Sequence, residues 1–117
     1  MSEQTPPTLD ETIHHPTRLV IMAFLAGCAE AEFAAVRDYS QISDASVSRI
    51  TSALETAGYL KVRKGYVGKR PRTWLSLTPM GRQALTRHLA ALHTIADTAR
   101  QAGARTEAES GQGRRTS

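Results

Sequence analysis

The chain has 117 residues, of which 40% are hydrophobic and 22% charged, an ordinary globular composition for one domain with little room for a second, ligand-binding one. No apolar run reaches the ~18–20 residues that cross a bilayer, the N-terminus lacks the basic start and apolar stretch of a signal peptide, and the single cysteine excludes an internal disulfide, so a cytoplasmic protein with no membrane partner is expected. The net charge of +4 is divided unevenly: residues 1–60 hold three Lys or Arg against eight Asp or Glu, and residues 61–117 hold twelve against three, a polarity that suits a polyanion-binding face in the second half.

Residues 1–8, polar and carrying Pro6-Pro7, read as a disordered lead, and Leu9 to His14 as a short helical turn capped by Thr8. Pro16 suits the first turn of a helix that runs to Ala26 and stops at Gly27, with Leu19, Met22, Ala23, Leu25 and Ala26 as its apolar face. Glu32 to Tyr39 form a short second helix that buries Phe33 and Val36. Ser43 is a good N-cap for a third helix, Asp44 favours its positive end, and Val47, Ile50, Leu54 and Ala57 fall on one stripe before Gly58 closes it.

The period then changes from helical to alternating. Leu60 and Val62 alternate with Lys61 and Arg63, and Thr73, Leu75 and Leu77 with Trp74 and Ser76, which predicts two strands joined by a projecting loop over Lys64 to Arg72. Thr78-Pro79 opens a last helix ending about Ala99, whose Leu85, Leu89, Leu92 and Ala96 recur at four, three and four residues, the spacing of a seam between two helices. The tail, residues 100–117, is basic, poor in apolar residues and expected to be disordered. The fold class is mainly α with a small β-hairpin: a helix-turn-helix followed by a two-stranded wing and a C-terminal helix, spanning residues 9–99.

The third helix carries Ala45, Ser48, Arg49, Ser52 and Thr56 opposite its buried stripe, with Ser43 and Ser46 at its N-terminal end. Small and hydroxylic side chains let a helix backbone approach base edges, and arginine pairs bidentately with guanine. N–H groups at the helix start point at phosphates. In the hairpin, Lys61, Arg63, Lys64, Lys69, Arg70 and Arg72 are six cations in twelve residues with no acid among them. Local salt bridges do not account for them, whereas phosphate neutralisation with counterion release does. Tyr66 in the same loop is placed to stack or to donate to a phosphate. The plain alternatives are a solvated helix face and a hairpin whose charges only blunt an exposed edge.

The stretch beginning His15-Pro16-Thr17-Arg18-Leu19 and continuing through SDASVSRITSALETAGYLKVRKGYVGKRPRTWLSLTPMGRQAL resembles the winged-helix regulators related to the MarR and ArsR groups, above all their short single-domain branch. Three pieces carry the resemblance: Ala57-Gly58-Tyr59-Leu60, Pro71-Arg72-Thr73-Trp74, and Leu77-Thr78-Pro79-Met80-Gly81-Arg82. It implies a sequence-specific DNA-binding transcription factor, usually a repressor, with double-stranded DNA as partner. By position Asp44 to Gly58 is then the recognition helix, Lys61 to Arg72 the wing, and the first and last helices build a homodimer. It specifies no small-molecule effector but leaves room for one. The other reading of the same fold is a winged helix that binds protein and not DNA, which would show exposed apolar anchors.

Four histidines, His14, His15, His88 and His93, invite a metal site, but adjacent histidines rarely share an ion, and His88 and His93 stand five apart, off a common helical face. No metal or cofactor is expected. Cys28, beyond a helix C-terminus and near Glu30 and Glu32, is poorly placed for redox chemistry. No nucleophile–base pair, phosphate loop or dinucleotide fingerprint stands in the sequence, so an enzyme is not expected.

Overall fold

The computed structural model describes residues 8–115; all of the expected lead but Thr8 therefore lies outside the described residues, as do residues 116 and 117 of the tail. The elements are α1 (Pro16–Ala26), β1 (Ala31–Glu32), α2 (Phe33–Ser40), α3 (Asp44–Thr56), β2 (Leu60–Val67), β3 (Arg70–Leu77) and α4 (Pro79–Arg115). The strands form one antiparallel sheet in the order β1-β3-β2.

Each helix buries one stripe in a shared core. Ile21, Met22 and Leu25 come from α1, Val36 from α2, Val47, Ile50 and Leu54 from α3, Ala84 and Leu85 from α4, and Leu60, Leu75 and Leu77 from the sheet. Ala23, expected on the buried face of α1, is exposed, and Ile21 takes its place. Before α1, residues 9–14 make a single turn. Its cap is Asp10, not Thr8: the Asp10 carbonyl accepts from the Ile13 and His14 N–H groups at 3.0 and 2.7 Å, and its Oδ1 accepts from Thr12 N–H at 2.9 Å. Ile13 in this turn is fully buried. The Tyr59 hydroxyl, which donates to Asp10 Oδ2 at 2.5 Å, ties the turn to the end of α3.

The hairpin differs from its expectation. Residues 64–72 are not a projecting loop, because both strands continue to a tight turn in which only Gly68 and Lys69 lie between the paired Val67 and Arg70. Gly68, at φ +63°, supplies the left-handed conformation that a two-residue turn demands. Gly65, which also reads as a turn residue, is paired strand instead; a Cβ there would meet the Trp74 ring at 3.1 Å, so the glycine makes room for the indole. The two-residue strand β1 pairs Ala31 with Leu75 and Glu32 with Trp74.

The last helix also runs further than expected, to Arg115 and not to about Ala99. A scarcity of apolar residues argues against burial, not against helix. Residues 100–110 are rich in the strong helix formers Ala, Arg, Gln and Glu, contain no proline, and are exposed throughout. At about 1.5 Å per residue the helix outreaches the body, and the molecule measures 78 Å along its long axis.

One junction joins α3, the hairpin and α4. Gly58 turns the chain at φ +84°. Thr78 then caps α4 and ties it to the exit of α3: its Oγ1 accepts the Gly81 N–H at 2.9 Å and donates to the Gly58 carbonyl at 2.6 Å, while its own N–H donates to the Tyr59 carbonyl at 3.1 Å. Gly81 lies against Tyr59 so closely that a Cβ would stand 2.1 Å from the Tyr59 carbonyl oxygen. Gly81→Ala should therefore destabilise the fold by about 3 kcal/mol, the upper range for overpacking. Thermal unfolding checks this: a loss of more than ~10 °C is expected for a domain of this size, and an unchanged midpoint would contradict the close approach.

Candidate nucleic-acid interface

The start of α3 is set by Ser43, whose Oγ accepts the Ser46 N–H at 3.1 Å and donates to Ser46 Oγ at 3.0 Å. Arg49 reaches back along the helix to Ser46 Oγ at 3.5 Å. Ala45, Ser48, Arg49, Ser52 and Thr56 are exposed together, opposite the buried Val47, Ile50 and Leu54. The face is shallow, and Arg49 is its single long side chain. Thr51, in the buried stripe, satisfies its hydroxyl on the Ser48 carbonyl at 3.2 Å.

An acid at the head of this helix, Asp44, would repel a phosphate. Arg37 on α2 engages it at 3.1 Å and engages Asp38 at 3.0 Å, so one guanidinium is shared by two carboxylates and offsets part of the negative charge there. The hydrogen bonds to Asp44 and then Asp38 raise the Arg37 pKa above its ordinary value. Sequence reasoning missed Arg37, because nothing local in α2 marks a side chain whose partner is seven residues on.

The wing, β2 and β3, splits its six cations into two groups. Lys61, Lys64, Lys69 and Arg70 are exposed and make no ion pair among the described residues. Tyr66 stands beside them, 72% exposed. Arg63 and Arg72 are engaged. Arg63 bonds Glu30 at 2.6 and 3.2 Å with its guanidinium 4.2 Å from the centre of the Trp74 ring, and Arg72 meets Glu32 at 2.9 Å. The bond from Arg63, with help from Lys61, holds the Glu30 carboxyl below the usual carboxylate range. The hairpin thus has salt-bridge partners after all. They come from the segment before α2, where no strand is expected from the sequence and where Glu32 reads as the first residue of the second helix.

The expected seam on α4 is divided. Leu85 belongs to the core, Leu92 is half-buried, and Leu89 and Ala96 are exposed, together with Ile95. The histidines separate in the same way. His88 is buried, its Nδ1 accepting the Asp10 N–H at 3.1 Å with the His14 ring 5.4 Å away, while His93 meets Asp97 at the surface. No three His, Cys, Asp or Glu side chains come together as metal ligands among the described residues. Cys28 is half-buried, its thiol 3.7 Å from the carbonyls of Phe24 and Leu25. No helix among the described residues is long and apolar enough to cross a membrane.

Residues 17–96 match the family model described as a winged helix DNA-binding domain. Among solved structures, the transcriptional regulator homologue protein from Pyrococcus horikoshii OT3 is 27% identical with a TM-score of 0.71, covering 76% of this chain and 88% of that one. BpsR of Bordetella bronchiseptica, a protein whose DNA binding is regulated by 6-hydroxynicotinic acid, is 19% identical with a TM-score of 0.63 over 78% of this chain and 68% of its own. A MarR family transcriptional regulator from Silicibacter pomeroyi DSS is 19% identical with a TM-score of 0.60, over 74% of this chain and 56% of its own. At 19% identity the likeness is one of fold. No curated protein sequence matches the chain. The first and third of these neighbours are described as transcriptional regulators.

The Ser43 cap is exposed and makes its bonds only within α3, so its removal tests the local reading. Ser43→Ala should cost about 1 kcal/mol, read as a fall of a few degrees in the unfolding midpoint. A change of less than half a degree would show that the helix start is held by something else.

Proposed function

Because the chain belongs to the winged helix DNA-binding domain family, we propose that it regulates transcription by binding double-stranded DNA sequence-specifically, as a homodimer and as a repressor. The observation that carries this reading is the exposed face of α3, where Ala45, Ser48 and Ser52 flank the single long side chain of Arg49 on a capped helix whose leading acid is engaged by Arg37. A helix of this kind fits a major groove, with Arg49 reaching a base edge and the positive N-terminal end of the helix turned to phosphate. Lys61, Lys64, Lys69 and Arg70 on the wing then neutralise flanking phosphates, with Tyr66 beside them. The repressor sense is what the resemblance to the MarR and ArsR groups supports.

The homodimer is supported by α4. Past the core it keeps Leu89, Leu92, Ile95 and Ala96 in a stripe along a helix that continues well beyond the body. A second copy of the same helix would cover that stripe and, by twofold symmetry, set two third helices about one DNA turn, ~34 Å, apart. Leu89→Glu, at a 45%-exposed position, is expected to leave the protomer folded and shift sedimentation from dimer to monomer. A dimer that persists in this variant would place the interface elsewhere.

Selection of bound duplexes from a random pool tests the central reading and gives the half-site spacing. On the selected site, Arg49→Ala should relax the preference at one position per half-site and cost about 1–3 kcal/mol there, whereas Lys69→Ala should weaken binding to every sequence alike and reduce the salt slope by about one per protomer. Enrichment of no sequence, or an equal loss on random and selected DNA for Arg49→Ala, would contradict base reading by α3.

A further inference from the structure

Beyond its paired base the wing has little to lean on. An open groove of about 450 Å³, lined by Glu32, Phe33, Ala34, Pro71, Arg72 and Thr73, separates it from the start of α2. Packing alone does not fix its angle. What crosses from the wing to the rest of the fold is a row of side chains on the outer face of the sheet. The register sets Glu32 opposite Trp74 from one side and Arg63 opposite Trp74 from the other. Arg63 lies over the indole and bonds Glu30, Arg72 bonds Glu32, and Gly65 leaves the indole its space.

Resting on the DNA-binding reading above, we infer that Glu30 and Glu32 are positioning residues for DNA recognition: through Arg63 and Arg72 they hold the wing at its docking angle to α3 before DNA arrives. These two arginines stay with their carboxylates when the duplex binds. The physical reason is the cost of exchange. Each is already in a charge-assisted pair, at 2.6 and 2.9 Å, and moving it to phosphate would leave a carboxylate unpaired beside a polyanion. The wing therefore contributes about four phosphate contacts per protomer, Lys61, Lys64, Lys69 and Arg70, and not six, each worth about 0.9 of salt slope. A wing held in advance also removes the loss of affinity suffered by a protein whose competent conformation is only partly populated.

The proposal makes an expectation opposite to simple charge counting. Removing two negative charges next to DNA should strengthen binding everywhere if the carboxylates only offset phosphate attraction. If they position the wing, the double variant Glu30→Gln, Glu32→Gln should lose about tenfold on the selected duplex, as for a wing correctly angled about a tenth of the time, while binding random duplex as well as or better than before. Glu32→Gln alone, which keeps the Glu30–Arg63 pair, should lose less. A gain on both duplexes, or an unchanged ratio between them, overturns the proposal.

A second readout needs no DNA. Trp74 is the sole tryptophan, so quenching of its fluorescence by acrylamide reports on the brace itself and should rise in the double variant while helical circular dichroism stays unchanged. Equal quenching in both proteins overturns the brace. In the wild type, quenching should stay the same when the selected duplex is added, and a large change would mean that Arg63 has left the indole, against the proposal. A wild-type protein that binds no duplex fails the functional reading and the positioning role with it, whereas a wild type that binds while the variant keeps its ratio overturns the positioning role alone.

Discussion

Thr78 holds together the ends of three elements. Its hydroxyl caps α4 and reaches the Gly58 carbonyl at the exit of α3, and its N–H reaches Tyr59, so the chain leaves α3, runs out along β2, returns along β3 and enters α4 all at one point. The first strand pair, Leu60 with Leu77, sits directly beside it in the core. The junction needs glycine twice for different reasons: Gly58 for its positive φ, and Gly81 because a Cβ would collide with the Tyr59 backbone. A neighbouring bond extends the constraint to α1: the Arg82 guanidinium donates to the carbonyls of Ala26 and Cys28 at 3.0 and 3.1 Å, closing the C-terminal end of that helix. The recognition helix and the hairpin therefore share one foundation at the base of the hairpin.

The uneven charge of the two halves takes on a more specific meaning in three dimensions. The acids of the first half are not scattered away from the cations of the second. Glu30 and Glu32 take up Arg63 and Arg72, and within the first half Arg37 takes up Asp38 and Asp44. Pairs as exposed as these add little to global stability; their effect is local, on how side chains are held and on where positive charge remains available. On α3 and the wing, the cations left without an ion pair among the described residues are Arg49, Lys61, Lys64, Lys69 and Arg70.

The features legible in the sequence are those written in short range: the helical stripes, the Ser43 cap, the alternation of the strands and the shallow face of α3. Those that were not legible depend on distance or on the absence of a pattern. Strand β1 has two residues, too few to show a period, yet it brings the two carboxylates to the wing; Glu30 and Arg63 are 33 residues apart. Gly65 and Gly68 look alike in sequence, and only the Trp74 ring distinguishes the glycine that makes room from the one that turns. The low apolar content past Ala99 correctly signalled exposure and wrongly suggested the loss of helix. The three signature pieces that identify the family are built around scaffold contacts: Gly58, Tyr59, Trp74, Thr78, Gly81 and Arg82 hold elements to one another. They point to the fold strongly and to the sequence being read hardly at all.

The shortness of β1 has a consequence for how the protein behaves among its own copies. It covers β3 only at Trp74 and Leu75, so among the described residues no strand pairs with β3 on that side from Arg70 to Thr73, and none pairs with the outer side of β2. Bare strand edges recruit other strands into aggregates. Pro71 lacks the N–H that such pairing needs, and the lysines and arginines crowding both borders repel an approaching ribbon of the same kind. The charge that suits this hairpin to a polyanion thus also keeps it from templating insoluble β-structure in a crowded solution.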